Sequence, residues 1–190
     1  MNSSLRHALN RPARDLRHAI KRGLTLLESL VVLAILAVLM GTALPHFGKA
    51  TERRHLEGTA AQLATDIKFT RSLAVAQNGS MRMVFQTAPG GSCYVVHNGA
   101  TSDCQCTTAG PAVCSNGATA QRSVFFAAGG PVQLQANVGA ILFHPVHGTS
   151  TPTGTLRVVA RSGATVHQVV NIMGRVRACS PSGLPGYPAC

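Results

Sequence analysis

The chain has 190 residues, room for one modest domain beside a targeting or membrane segment. Aromatic residues make up only 4% and tryptophan is absent, so a core must rest on Val, Leu, Ile and Ala. The formal charge of +11 looks like that of a nucleic-acid binder, but Arg6, Arg11, Arg14, Arg17, Lys21 and Arg22 all precede Leu24, against Asp15 alone. Without them the count is +6, which still favours polyanions through an attraction that salt weakens. All six cysteines lie beyond position 90, which suits a domain that matures outside a reducing cytosol, with disulfides.

In chain order, the first predicted element is an apolar helix. Leu24 to Leu44 is interrupted only by Thr25, Glu28, Ser29 and Thr42. At a rise of about 1.5 Å per residue it reaches roughly 30 Å, the thickness of a bilayer core. Arg17, Lys21 and Arg22 ahead of it keep the leader cytoplasmic, so that everything after Pro45 is exported. A secretory signal would have a shorter apolar stretch and no carboxylate near its start. A plain membrane anchor explains the length but leaves Glu28, since a carboxylate in an apolar helix costs about 2.5–3.5 kcal/mol at the bilayer centre and less near its edge.

Lys21-Arg22-Gly23, followed by Leu24-Thr25-Leu26-Leu27-Glu28, resembles the processing junction of the type IV pilin and pseudopilin superfamily. The resemblance implies that a prepilin peptidase cleaves after Gly23 and that the new terminal residue, Leu24, is methylated. Leu24 stands where the family usually has Phe, yet remains bulky and apolar. By the same resemblance Glu28, fifth in the mature chain, pairs with the freed amine of a neighbouring subunit, and a buried carboxylate is tolerated when it meets an opposite charge. The implied location is the bacterial inner membrane, single-pass with the globular part in the periplasm, and then a pilus or pseudopilus. The implied partners are the peptidase, the membrane and other pilins.

Beyond the membrane the helix is expected to continue. Leu56, Ala60, Leu63, Ile67 and Ala74 recur at spacings of three, four or seven and form one apolar stripe. Arg53, Arg54, Glu57, Asp66, Lys68 and Arg71 are expected largely on other faces. Gly41 and Pro45 predict a kink near the bilayer exit, and Asn78-Gly79 an end near Gln77. Such a helix would be roughly 80 Å long, which filament packing needs and a soluble domain of this size does not.

After Gly79 the pattern changes to short β-prone runs between Gly, Pro, Asn and Ser. Strands are predicted at Met81–Thr87, Cys93–His97, Arg122–Ala127, Val132–Gln135, Ala140–His144, Thr155–Arg161 and Thr165–Ile172, with a tight turn at Arg161-Ser162-Gly163-Ala164. One long helix followed only by strands implies an α+β fold, an antiparallel sheet packed on the exported half of the helix. The expected divisions are a cleaved leader (1–23), a transmembrane or filament-core helix (24–45), an exported amphipathic helix (46–78) and a β-rich domain (79–190). Thr101–Ala120 reads as a stapled loop.

Phe143-His144-Pro145-Val146-His147-Gly148, followed by two strands and Gly174-Arg175-Val176-Arg177, resembles the GspH/FimT branch of the superfamily. Those are minor pilins and type II secretion pseudopilins with a β-sandwich-like globular domain. His144 and His147 stand in a region where the family often has a charged residue.

Gly174-Arg175-Val176-Arg177 is the sharpest candidate site. Residues two apart on an extended segment project to one side about 6.7 Å apart, and two guanidiniums so placed suit neighbouring phosphates. Gly174 permits an open turn before them, and Arg157 and Arg161 on a preceding strand extend the patch. In FimT-like minor pilins a motif of this form is linked to DNA binding during natural transformation. The plain alternative is a pair of solvated arginines on an edge strand. No groove-reading helix is apparent, so base-specific recognition is not expected.

Cys179 and Cys190 are expected to close a Pro/Gly-rich loop beside these arginines. Cys93 and Cys114 are each expected to bond one of Cys104 and Cys106. A zinc site built on Cys104 and Cys106 with His97 fits poorly, because structural ligand pairs are commonly two to four residues apart. No nucleophile is placed with a base, so neither catalysis, cofactor nor metal is expected. The rival to a DNA-binding minor pilin is a structural GspH-like pseudopilin of a type II secretion system.

Overall fold

The computed structural model describes residues 25–190 apart from Pro89 and Ala109, and the backbone alone for 42–47. The leader with Gly23, and Leu24 after it, lie outside the described residues. The described residues fall in two units, divided between Leu44 and Pro45.

Helix α1 spans Leu26–Ala76 and is one element without a break at Gly41 or Pro45. Thr25 sets its start. The Thr25 Oγ1 accepts the Glu28 amide at 3.2 Å, and the Thr25 carbonyl accepts the Ser29 amide at 3.1 Å. Thr-x-x-Glu is a capping-box spacing, and it puts Glu28 in the first turn, where the unpaired amides favour a carboxylate. In the first unit large apolar side chains such as Leu26, Leu27, Leu33, Val38 and Leu39 stand exposed. Among the described residues no helix is long and apolar enough to cross a membrane. The side chains at 42–47, within and just beyond the expected span, lie outside that description.

In the second unit the predicted stripe is the core face: Leu56, Ala60, Leu63, Ile67 and Ala74 are all buried. Asp66 corrects the expected face assignment. It lies three residues after Leu63 and is 1% exposed. Its burial is offset by the Tyr94 hydroxyl, which donates to Oδ2 at 2.5 Å, and by Arg122, whose Nε lies 3.1 Å from the same oxygen. The Asn78 backbone turns to a φ of 47° and the Gly79 amide bonds the Ala74 carbonyl, closing the helix at its expected end.

Among the described residues eleven strands follow: β1 (Met81–Ala88), β2 (Gly91–His97), β3 (Cys104–Gln105), β4 (Val113–Cys114), β5 (Ala120–Ala127), β6 (Val132–Ala136), β7 (Ala140–Phe143), β8 (Ser150–Thr151), β9 (Gly154–Ala160), β10 (Thr165–Val170) and β11 (Val176–Cys179). They form two main sheets, ordered β5-β2-β1-β7-β8 and β11-β10-β9-β6, with β3-β4 a separate pair. Every ladder is antiparallel. The fold is α+β, as expected. The strand pattern alone implies one sheet; there are two, as in the β-sandwich-like domain that the resemblance implies. Met83, Tyr94 and Ile141 from one and Leu134, Val158 and Val166 from the other share a core with α1. Gln168 on β10 is buried and donates to the Ala60 carbonyl at 3.0 Å, tying the second sheet to the helix.

Candidate nucleic-acid interface

The β10–β11 turn is built by its own polar groups. The Gly174 amide bonds the Asn171 carbonyl at 2.8 Å, and the Asn171 side chain accepts the Arg175 amide at 2.9 Å. Arg177 pairs with Val169 across the ladder, and both side chains are exposed on the outer face. Arg175, two residues earlier, is exposed as well.

A cavity of about 950 Å³ opens beside this turn, lined by Lys68, Arg71, Ser72, Val75 and Ala76 of α1, by Val146 and His147, and by Asn171 and Gly174–Arg177. It brings Arg175 and Arg177 together with two helix cations the sequence reading did not include, Lys68 and Arg71. Among the described residues no carboxylate lines it. Charge alone did not single these two out, because an amphipathic pattern separates core from surface but does not say which surface face meets a turn a hundred residues later.

Arg71 is the hub. Its Nε–H donates to the Gly148 carbonyl at 2.9 Å. Gly148 and Gly174 have φ values of 60° and 68°, and a Cβ on either would strike Arg71, on Gly174 the Gly148 carbonyl too. The glycines of the two sequence motifs therefore form a cradle for one helix side chain. The Ser150 Oγ donates to the Asn171 carbonyl at 2.6 Å and the Ser150 amide to the Ile172 carbonyl at 2.9 Å, joining the loops further.

The other expected members separate. Arg157 is exposed on β9, paired with His167, which pairs with Cys179; it shares the outer face with Arg177 but not the cavity. Arg161 lies at the opposite end of the second sheet. There its Nε–H donates to the Gly130 carbonyl at 3.0 Å and its Nη2 to that of Gly129. Arg53 binds Glu57 and the Pro185 carbonyl, and Arg82 the Gly99 carbonyl and Thr101. By contrast, Lys68, Arg175 and Arg177 have no side-chain partner among the described residues.

Cys179 is bonded to Cys190, Cys93 to Cys106 and Cys104 to Cys114. Cys104 and Cys114 face each other across the β3–β4 ladder, and the Gln86 amide group holds this loop through Cys104 O at 2.8 Å and Cys106 N at 2.9 Å. His167 lies 3.6 Å from the Cys190 sulfur, but with both sulfurs oxidised the trio His167, Cys179 and Cys190 offers no thiolate to a metal. His144 closes its own loop, its Nδ1 accepting the Val146 amide at 3.4 Å, while His147 lines the cavity. Burial lowers the pKa of His97 and of His167, with Arg82 and Arg157 adding to it respectively.

A family model described as type II transport protein GspH matches residues 59–174, and one for the prokaryotic N-terminal methylation motif matches residues 19–44. Over 72 residues the chain is 43% identical to the pilin-like protein PilA1 of Thermus thermophilus, a stretch of 37% of this chain and 45% of that protein. The chain thus matches under half the length of that relative. Among solved structures, the type IV minor pilin FimU of Pseudomonas aeruginosa is similar at a TM-score of 0.49 and 17% identity, over 72% of this chain and 97% of that one. A second crystal form of it gives 0.46 and 16%, over 70% and 98%.

Proposed function

Since this chain belongs to the family of type II transport protein GspH, within the type IV pilin and pseudopilin superfamily, we propose that it is a minor, FimT-like filament subunit that holds DNA. The observation that carries the reading is the cavity where Lys68, Arg71, Arg175 and Arg177 converge without a carboxylate. Cations gathered in this way repel one another, and a polyanion offsets that cost. DNA is held through its backbone, without reading sequence, and the binding aids uptake in natural transformation.

The rest of the proposal concerns assembly. A prepilin peptidase cleaves after Gly23, Leu24 is methylated, and the exposed apolar side chains from Leu26 to Met40 are covered first by the inner membrane and then by other pilins. Glu28, in the first turn of α1, meets the freed amine of a neighbour. The globular unit faces the periplasm before it joins the filament.

The processed chain in detergent, mixed with a labelled DNA duplex, should retard it in a gel, and Arg175→Ala/Arg177→Ala should weaken the shift. Equal binding by both proteins would remove the site. No binding by the wild type would favour the second reading, a structural pseudopilin of a type II secretion system, which the description of the matching family supports. Mass spectrometry tests the processing separately, because an intact leader in membranes with active peptidase contradicts it.

A further inference from the structure

Lys68 and Arg71 are three residues apart and so neighbours on the helix surface, and both line the cavity together with Arg175 and Arg177 of the β10–β11 turn and β11. We infer that DNA is held in a two-walled cleft and not on the tail alone: Lys68 supplies a phosphate contact from α1, and Arg71 is the positioning residue that fixes the distance between the walls. This rests on the DNA-binding reading above.

The positioning role follows from what Arg71 touches. Its Nε–H is committed to the Gly148 carbonyl, and its stem fills the space a Cβ on Gly174 would need. Gly174 precedes Arg175 directly, and the Arg175 amide hangs from Asn171, whose carbonyl Ser150 holds. A shift of the Arg71 side chain is thus passed to the turn that presents Arg175 and Arg177. Lys68 is different. It is exposed and has no partner among the described residues, so it is available to an incoming anion.

The cavity also limits what enters. At about 950 Å³, with Val75, Ala76, Val146 and Val176 among its lining, it admits a short stretch of one sugar–phosphate backbone. Its cations meet phosphates, so the contacts position the strand without reading it.

The test uses the processed full-length chain in detergent and a labelled duplex, titrated over a series of salt concentrations. Lys68→Ala should flatten the slope of log affinity against log salt by about 0.9, the share of one phosphate. It should weaken unrelated sequences equally and should not lower the melting temperature, since it removes one of the mutually repelling charges. Arg71→Lys, which keeps a charge and a donor, should stay near wild type. Arg71→Met should lose more affinity than Lys68→Ala, and its loss should not add to that of Arg175→Ala/Arg177→Ala, whereas the Lys68→Ala loss should add. A merely structural Arg71 would lower the melting temperature and leave the salt slope intact.

A wild-type slope for Lys68→Ala, beside a weakened Arg175→Ala/Arg177→Ala, overturns the two-walled cleft and leaves DNA binding standing. Additive losses for Arg71→Met and the tail variant overturn the positioning role. Absence of wild-type binding overturns the DNA-binding reading and the cleft with it.

Discussion

Gly163 and Gly174 both have a positive φ, yet alanine should be tolerated very differently at the two. At Gly163, φ is 85° and an added Cβ meets nothing within 4 Å, so the cost should be the backbone strain alone, about 1–2 kcal/mol. At Gly174 the same strain is joined by a collision with the Gly148 carbonyl and Arg71. Gly174→Ala should therefore lower the denaturant midpoint more than Gly163→Ala, and alone of the two it should weaken DNA binding. The Tyr94 hydroxyl gives a second case. Tyr94→Phe removes a hydrogen bond to the buried Asp66 carboxylate, and should cost about 1.5–3 kcal/mol by urea unfolding. Individual residues were readable in sequence where a local rule covers them. The buried stripe from Leu56 to Ala74 follows from helical periodicity, and Asn78-Gly79 from the left-handed cap. Asp66 was misplaced because its polarity outweighed its position three residues after Leu63. The partners that make its burial tolerable, Tyr94 and Arg122, are far along the chain.

Among the elements, α1 and the longer strands were legible because each carries its own periodicity. The short ones were not. β3 and β4 have two residues each and are held by a cross-strand disulfide and Gln86, while β8 is fixed by its ladder to β7. Alternation needs more residues than these contain. The candidate site is a meeting of such pieces, so a motif in the tail stands out in the sequence while the helix residues beside it do not. Two strands carry a pH response. His97 at the end of β2 and His167 in β10 both titrate below their ordinary 6.5, chiefly through burial. The unfolded chain takes up these protons first, so stability should be level above about pH 6.5 and fall as pH drops from there towards the lower folded values. Melting temperature against pH measures this, and His97→Gln should reduce the slope. Glu52 and Asp103 are lowered by hydrogen bonds, from Ser162 and from Asn116 first, and add their own loss only below about pH 4.5. The Cys179–Cys190 bond spans 11 residues beside β11, and the double change Cys179→Ala/Cys190→Ala should cost about 3 kcal/mol and speed amide exchange at Ala178 and Ser180.

At the scale of the whole molecule, the charge is unevenly spent. The carboxylates of Glu52, Glu57, Asp66 and Asp103 engage Ser162, Arg53, Arg122 and the 98–119 loop, and none reaches the cleft. The four cations of the cleft, Lys68, Arg71, Arg175 and Arg177, accordingly repel one another. Small anions gathering there relieve it, so raising sodium chloride should lift the melting temperature of the DNA-free protein, while Lys68→Ala should blunt that rise. The same ions compete once DNA is present. On the proposed DNA-binding reading, one reagent thus steadies the protein by itself as it loosens its hold on DNA.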